Sequence, residues 1–168
     1  MLAPNYCPLE SVTRYWKEVP LIMRRYWAVW SFPAGKFILS EAFFDDWLDK
    51  YVRTYGGKPC YYTRVLKDSA TWYVYLYNYN IGNWEQKATS TGSSDHNVSW
   101  DMWEEYNMQG SWPTLPKIYS KDITVRLNTG VWCLVNSTYG EESDNTCEGF
   151  PPHGFDNEFY NWWVGPKT

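Results

Sequence analysis

Four tyrosines alternate within one short stretch, Tyr73, Tyr75, Tyr77 and Tyr79. In an extended strand, residues two apart point to the same side. All four rings therefore share one face, and Trp72, Val74 and Leu76 share the other, which is core by composition. The tyrosine face offers flat apolar rings with hydroxyls at their tips. Cleft surfaces that hold sugars or flat organic ligands need this combination, because ring planes stack on the ligand and hydroxyls bond its rim. The same face also suits a helix packed across it with its hydroxyls bonded to loops. A second cluster follows at Trp100-Asp101-Met102-Trp103-Glu104-Glu105-Tyr106. Read as a strand, it places Trp100, Met102 and Glu104 on one face and Ser99, Asp101, Trp103 and Glu105 on the other, so each face sets a carboxylate beside an indole. An apolar aromatic wall disfavours the ionised carboxylate and raises its pKa toward acid–base values. Carboxylate pairs serve glycoside hydrolysis and acid peptidases. Asp101, Glu104 and Glu105 are thus the candidate catalytic groups, with Glu41, Asp45 and Asp46 as candidate second partners; the ordinary alternative is solvated surface carboxylates. Trp100 and Trp103 join the four tyrosines as candidate ligand-binding residues.

Other chemistries find little to work with. His96 and His153 are the only histidines, both fall in predicted loops, and they lack metal-ligand spacing. A serine triad would need one of them. The chain has no phosphate-cradling glycine loop and no nucleophile elbow, so no metal or cofactor is expected. The net charge is −4 and the basic residues are scattered, Arg24-Arg25 being the one adjacent pair. That distribution argues against nucleic acid or an anionic membrane as partner, and no apolar run is long enough to span a bilayer. The leading expectation is a binding protein for a glycan or small molecule, most naturally a carbohydrate. A carboxylate-dependent enzyme is the rival, and a pocketless interaction module the third reading.

At 168 residues the chain fits a single domain, 1–168, with a helix-containing part over 1–57 and a β part over 58–168. Aromatic residues make up 20% of it, with 12 Trp, 15 Tyr and 7 Phe. A domain of this size cannot bury so many polar-tipped rings completely, so many should lie half-exposed in a groove. The four cysteines, Cys7, Cys60, Cys133 and Cys147, are even in number and form no CxxC pair. They therefore predict disulfides and an oxidising, secreted setting rather than zinc, with Met1 in place of a removed signal peptide. Proximity favours Cys133–Cys147, a short loop whose closure contributes about 3 kcal/mol in the chain-entropy model, and this leaves Cys7–Cys60. Four buried free thiols are the alternative.

The elements that position these residues are mainly β. Pro8 suits the first turn of a helix over 8–18. A strand follows over 21–32, with both faces covered, and then a turn at Pro33-Ala34-Gly35. The strongest helix pattern spans 40–55: Ser40 as N-cap, acidic residues early, Lys50 and Arg53 late, an apolar stripe of Phe43, Phe44, Trp47, Leu48, Tyr51 and Val52, and Gly56-Gly57 as the stop. Strands are predicted over 61–67, 72–79, 84–90, 98–106, 121–127, 131–136 and 158–164, separated by turn and loop signals. Short strands joined by tight turns predict an antiparallel β-sandwich or barrel with one or two N-terminal helices packed against the sheet.

One segment resembles a known family. Over 72–127 a strand is followed by the turn Asn80-Ile81-Gly82, then Met102-Trp103-Glu104, Gly110-Ser111 and Thr114-Leu115-Pro116. This order is similar to the second half of the glutamic peptidases, secreted acid peptidases of β-sandwich fold. The resemblance implies a sandwich. It does not carry over the peptidase mechanism: in the register that matches Glu104 and Leu115-Pro116, the family's catalytic glutamate falls on Trp100, and its glutamine partner has no counterpart upstream. A working carboxylate would have to be Glu104 or Glu105 in a different arrangement.

Overall fold

The computed structural model describes residues 9–18, 22–91, 117–127, 129–138, 152–157 and 161–165; for 14–18 and 22–24 it describes the backbone alone. The chain clusters into two compact units, Met1–Ser99 and Trp100–Thr168. It is mainly β, with thirteen strands and one short helix among the described residues. No helix there is long and apolar enough to cross a membrane.

The first unit is built from two antiparallel three-stranded sheets. One has the order β1-β2-β3, with β1 Leu9–Glu18, β2 Ile22–Ser31 and β3 Lys36–Ala42. Cross-strand partners point to the same side, so the register places Leu9, Ser11, Thr13, Trp27, Val29, Ser31 and Glu41 on one face. After β3 come the helix α1 Asp45–Tyr51 and a small hairpin, β4 Arg53–Tyr55 with β5 Lys58–Cys60. The second sheet has the order β6-β7-β8, with β6 Thr63–Asp68, β7 Thr71–Asn78 and β8 Asn83–Ser90. β1 packs against β6 and β7, β3 against β8, and α1 against β7. Between the sheets lie Leu9, Trp27, Val29, Val74 and Leu76, all essentially without solvent contact. The Ser11 and Thr13 hydroxyls on the inner face are bonded, whereas the buried Trp72 indole N–H finds no partner among the described residues. The Ser11 hydroxyl accepts the Trp27 indole N–H at 2.8 Å and bonds the Thr63 hydroxyl at 2.7 Å, and Thr13 bonds the Tyr61 hydroxyl. Neither sheet closes into a barrel among the described residues.

Two helical expectations are corrected. Residues 9–18 form β1 rather than a helix. Val12, Thr13, Tyr15 and Trp16 are β-branched or aromatic, types that fit a pleated surface, and β2 supplies ten paired positions along the strand. The helix over 40–55 shrinks to Asp45–Tyr51. Ser40 pairs with Ala28 inside β3 and caps nothing; Phe44 holds the N-cap position without a side-chain bond. Lys36–Ala42 alternates in exposure, and its ladder with β2 overrides the helical spacing of the apolar residues. Val52 ends the helix by turning extended into β4. In β2, Trp27, Ala28 and Val29 are all fully buried, so both faces are covered at the strand's centre, as its composition predicts.

In the second unit, β12 His153–Asn157, β13 Asn161–Val164 and β9 Ile118–Ser120 form an antiparallel sheet with β13 central. Gly154 faces Trp163, and a Cβ on Gly154 would lie 3.1 Å from the indole ring. β10 Thr124–Arg126 and β11 Trp132–Leu134, within the strands predicted over 121–127 and 131–136, pair as a hairpin around Gly130, whose φ of 86° suits glycine. Cys60 and Cys133 both carry free thiols, so the bridges Cys7–Cys60 and Cys133–Cys147 are not formed. The Cys60 thiol instead lies 3.5 Å from the Lys58 carbonyl oxygen. Parity and sequence proximity do not bring two sulfurs to bonding distance. Cys7 and Cys147 lie outside the described residues.

Candidate functional site

β7 alternates as its sequence predicts. Trp72, Val74, Leu76 and Asn78 are buried, while Thr71, Tyr73, Tyr75 and Tyr77 stay half-buried on the outer face. Tyr79 follows in the turn. Its backbone N–H donates to the Lys50 carbonyl at 2.8 Å, which ties the turn to the end of α1. The tyrosine rings form two pairs, Tyr73 stacked with Tyr75 at 6.1 Å and Tyr77 edge-on to Tyr79 at 5.0 Å.

Residues from neighbouring strands join the pairs. The antiparallel register sets Tyr75 opposite Arg64 on β6 and Tyr77 opposite Trp84 on β8. The Arg64 guanidinium sits 4.9 Å from the Tyr75 ring and 4.3 Å from the Trp84 ring, distances at which a cation is drawn to the ring face. Trp84 meets Tyr77 edge-on at 5.4 Å. Tyr62, 44% exposed, packs near Tyr77 and Tyr79, and Arg53 lies 4.6 Å over Tyr79. The result is a continuous strip of rings and guanidinium groups running from Tyr73 to Tyr62. Burial and the neighbouring Tyr62 push the Tyr79 hydroxyl above its ordinary pKa, against the lowering pull of Arg53, so it stays protonated and able to donate. The helix does not lie on this face. Its buried residues Trp47 and Tyr51 belong to the opposite side of β7, where Tyr51 bonds Glu85.

On that opposite side lies a polar cleft of about 300 Å³, lined by residues of β3, α1 and β8 together with Phe44. Its centre is Lys87. Val74 pairs with Ala88 but Tyr75 with Gln86, so Lys87 is the extra residue of a β-bulge, a device that re-aims side chains. The Lys87 ammonium contacts Glu41 at 2.8 Å and Glu85 at 3.2 Å, and donates to the Tyr51 hydroxyl at 3.2 Å. The Tyr51 hydroxyl donates to Glu85 at 2.8 Å, the Asn78 amide to Glu85 at 2.7 Å, and the Trp47 indole N–H to Glu41 at 2.9 Å. Burial acts to lower the Lys87 pKa, but the bonds to Glu41 and Tyr51 outweigh it and hold the ammonium above its usual value. Burial acts to raise Glu85, yet donors from Asn78, Tyr51 and Lys87 hold its carboxyl below the usual range. Tyr51 is raised, chiefly by burial and then by its bond to Glu85. Each shift moves away from neutrality, opposite to the tuning a general acid or base needs near pH 7.

Of the residues singled out in the sequence, the structure brings together Tyr73, Tyr75, Tyr77 and Tyr79, and places Glu41 and Asp46 at the cleft while Asp45 stays exposed in the first turn of α1. Trp100, Asp101, Trp103, Glu104 and Glu105 lie outside the described residues. Sequence reasoning missed Tyr62, Arg64 and Trp84 on the strip, and Tyr51, Glu85 and Lys87 in the cleft. The first group was open to discovery by extending the β7 register to both neighbours. The second depends on a bulge that leaves no mark in the hydrophobic pattern. Comparison of the chain with protein-family models, with curated proteins and with solved structures finds no match.

Proposed function

We propose that this protein binds carbohydrate along the outer face of the β6-β7-β8 sheet. The observation that carries the reading is the continuous strip of half-exposed rings at Tyr73, Tyr75, Tyr77, Tyr79, Trp84 and Tyr62. Sugar rings present apolar C–H faces and polar rims, and such a strip answers both: aromatic planes take the faces while phenolic hydroxyls and guanidinium groups bond the rims. At about 3.4 Å per strand residue, the distance from Tyr73 to Tyr77 exceeds the width of one sugar ring, which favours an oligosaccharide over a monosaccharide. A binding role fits the cleft behind the strip as well, since Lys87, Glu85 and Tyr51 are held in their ordinary charge states. The extracellular setting belongs to this proposal, as the place where such a face meets glycans.

The test is binding of the intact chain to an array of neutral and acidic glycans, repeated with Tyr73→Ala and Tyr77→Ala. Binding that both variants weaken supports the reading. An array without binding, or binding that neither variant changes, overturns it.

A further inference from the structure

The Lys87 cleft lies on the other side of β7 from the proposed glycan face, and its hydrogen bonding is lopsided. The donors around Glu41 and Glu85 are already engaged, while Lys50 stands exposed at the rim. Lys87 reaches Glu41, Glu85 and Tyr51, Tyr51 donates to Glu85, Asn78 to Glu85, and Trp47 to Glu41. The acceptors are not saturated. An ionised carboxylate offers about four lone-pair sites; Glu41 is met by two donors and Glu85 by three. Both carboxylates remain partly open to solvent, with side-chain exposures of 25% and 36%, whereas Lys87 is nearly closed off at 11%. What the centre of the cleft presents to an incoming molecule is therefore acceptor oxygen.

Its charge points the same way. The lining carries three carboxylates, Glu41, Asp46 and Glu85, against two ammonium groups, Lys50 and Lys87, which leaves one negative charge. The apolar part of the lining is aromatic, with Trp47 buried at the back and Phe44 at the mouth with 69% of its surface exposed. A volume of about 300 Å³ sits at the small end of ligand pockets. An anion is repelled by such a site. A neutral alcohol finds acceptors but gains nothing from the site's negative charge.

We infer that the cleft formed by β3, α1 and β8 binds a primary organic ammonium ion with a short apolar body. The ammonium group, a pure donor, takes the open acceptor positions of Glu41 and Glu85, and the hydrocarbon body lies against Phe44 and Trp47, whose ring faces also favour a cation.

The experiment is an NMR titration of the full chain with n-butylammonium, n-butanol and butyrate at neutral pH and low salt. The inference predicts saturable shifts for butylammonium that include the Trp47 indole N–H, the proton bonded to Glu41, and neither ligand-induced saturation nor that signature with butanol or butyrate. Glu41→Gln should weaken butylammonium binding about tenfold, the loss of one charge-assisted bond. Because Glu41 also holds Lys87, Phe44→Ala provides the second variant: its ring makes no hydrogen bond, and the change should weaken binding severalfold with the melting temperature unmoved. Absence of saturable shifts with butylammonium, equal binding of butanol, or unaltered affinity in Phe44→Ala would each overturn the inference.

Discussion

Replacing Lys87 by Met removes the cation that two carboxylates share. The methionine chain occupies a similar volume, so the change is chiefly electrostatic. Breaking a fully buried ion pair by deleting one partner costs about 3–5 kcal/mol, and an exposed pair about 0–1 kcal/mol. Lys87 is 11% exposed but its partners Glu41 and Glu85 are 25% and 36% exposed, so the effect falls between these limits, at about 2 kcal/mol. For a unit of this size that is a drop in melting temperature of roughly 10 °C. The pH dependence is the sharper readout. Glu85, held below its ordinary pKa, contributes stability that is present above about pH 4.3 and lost as pH falls through its folded value. Lys87, held above its ordinary pKa, contributes stability that is present below about pH 10.4 and lost only as pH rises through its folded value. In the Met variant the two carboxylates face each other without a cation, and protonating one relieves the repulsion. Thermal and urea unfolding of both proteins from pH 7 to pH 4.5 should therefore show a stability gap that narrows on acidification. A gap below about 0.5 kcal/mol at pH 7, the range of ordinary surface substitutions, or one that stays constant with pH, would refute the assignment of Lys87 as the linchpin of the cleft.

Two other outcomes follow from packing and from the thiols. Gly154→Ala forces a Cβ to within 3.1 Å of the Trp163 ring, so the indole must shift from its place under the Lys117 ammonium; a loss of about 1–2 kcal/mol with altered tryptophan fluorescence is expected, and unchanged stability and emission would contradict the packing. Cys60 and Cys133 are unbridged, so thiol titration of denatured, unreduced protein should find at least two reactive groups. A count of zero would restore the disulfide framework.

Local periodicity carried the β6-β7-β8 sheet, but it missed β4, β5, β9 and β12, where His153, read as a loop residue, opens a strand. The alternation in Thr71–Asn78 separates core from outer face residue by residue, and the Asn80-Ile81-Gly82 turn marks the β7–β8 hairpin. Periodicity failed where long-range pairing decides. Lys36–Ala42 and Leu9–Glu18 are strands because β2 lies between them, a fact that neither segment states alone, and helical spacing in 43–52 survives only as the seven residues of α1. The aromatic strip was half legible for the same reason: its tyrosines lie on one strand, while Arg64 and Trp84 come from neighbours. The cleft was illegible because Glu41, Tyr51, Glu85 and Lys87 come from three elements, and a one-residue bulge decides where Lys87 points.

Residue-resolved NMR during titration with an oligosaccharide chosen from the array shows whether a glycan stacks on the outer face of β6-β7-β8. Stacking on this face should give the largest shifts at Tyr73, Tyr75, Tyr77, Tyr79 and the Trp84 indole, and a loss of affinity of about tenfold when one stacked ring is removed by Tyr77→Ala. Shifts confined to residues away from this strip, with affinity untouched by Tyr77→Ala, would contradict it.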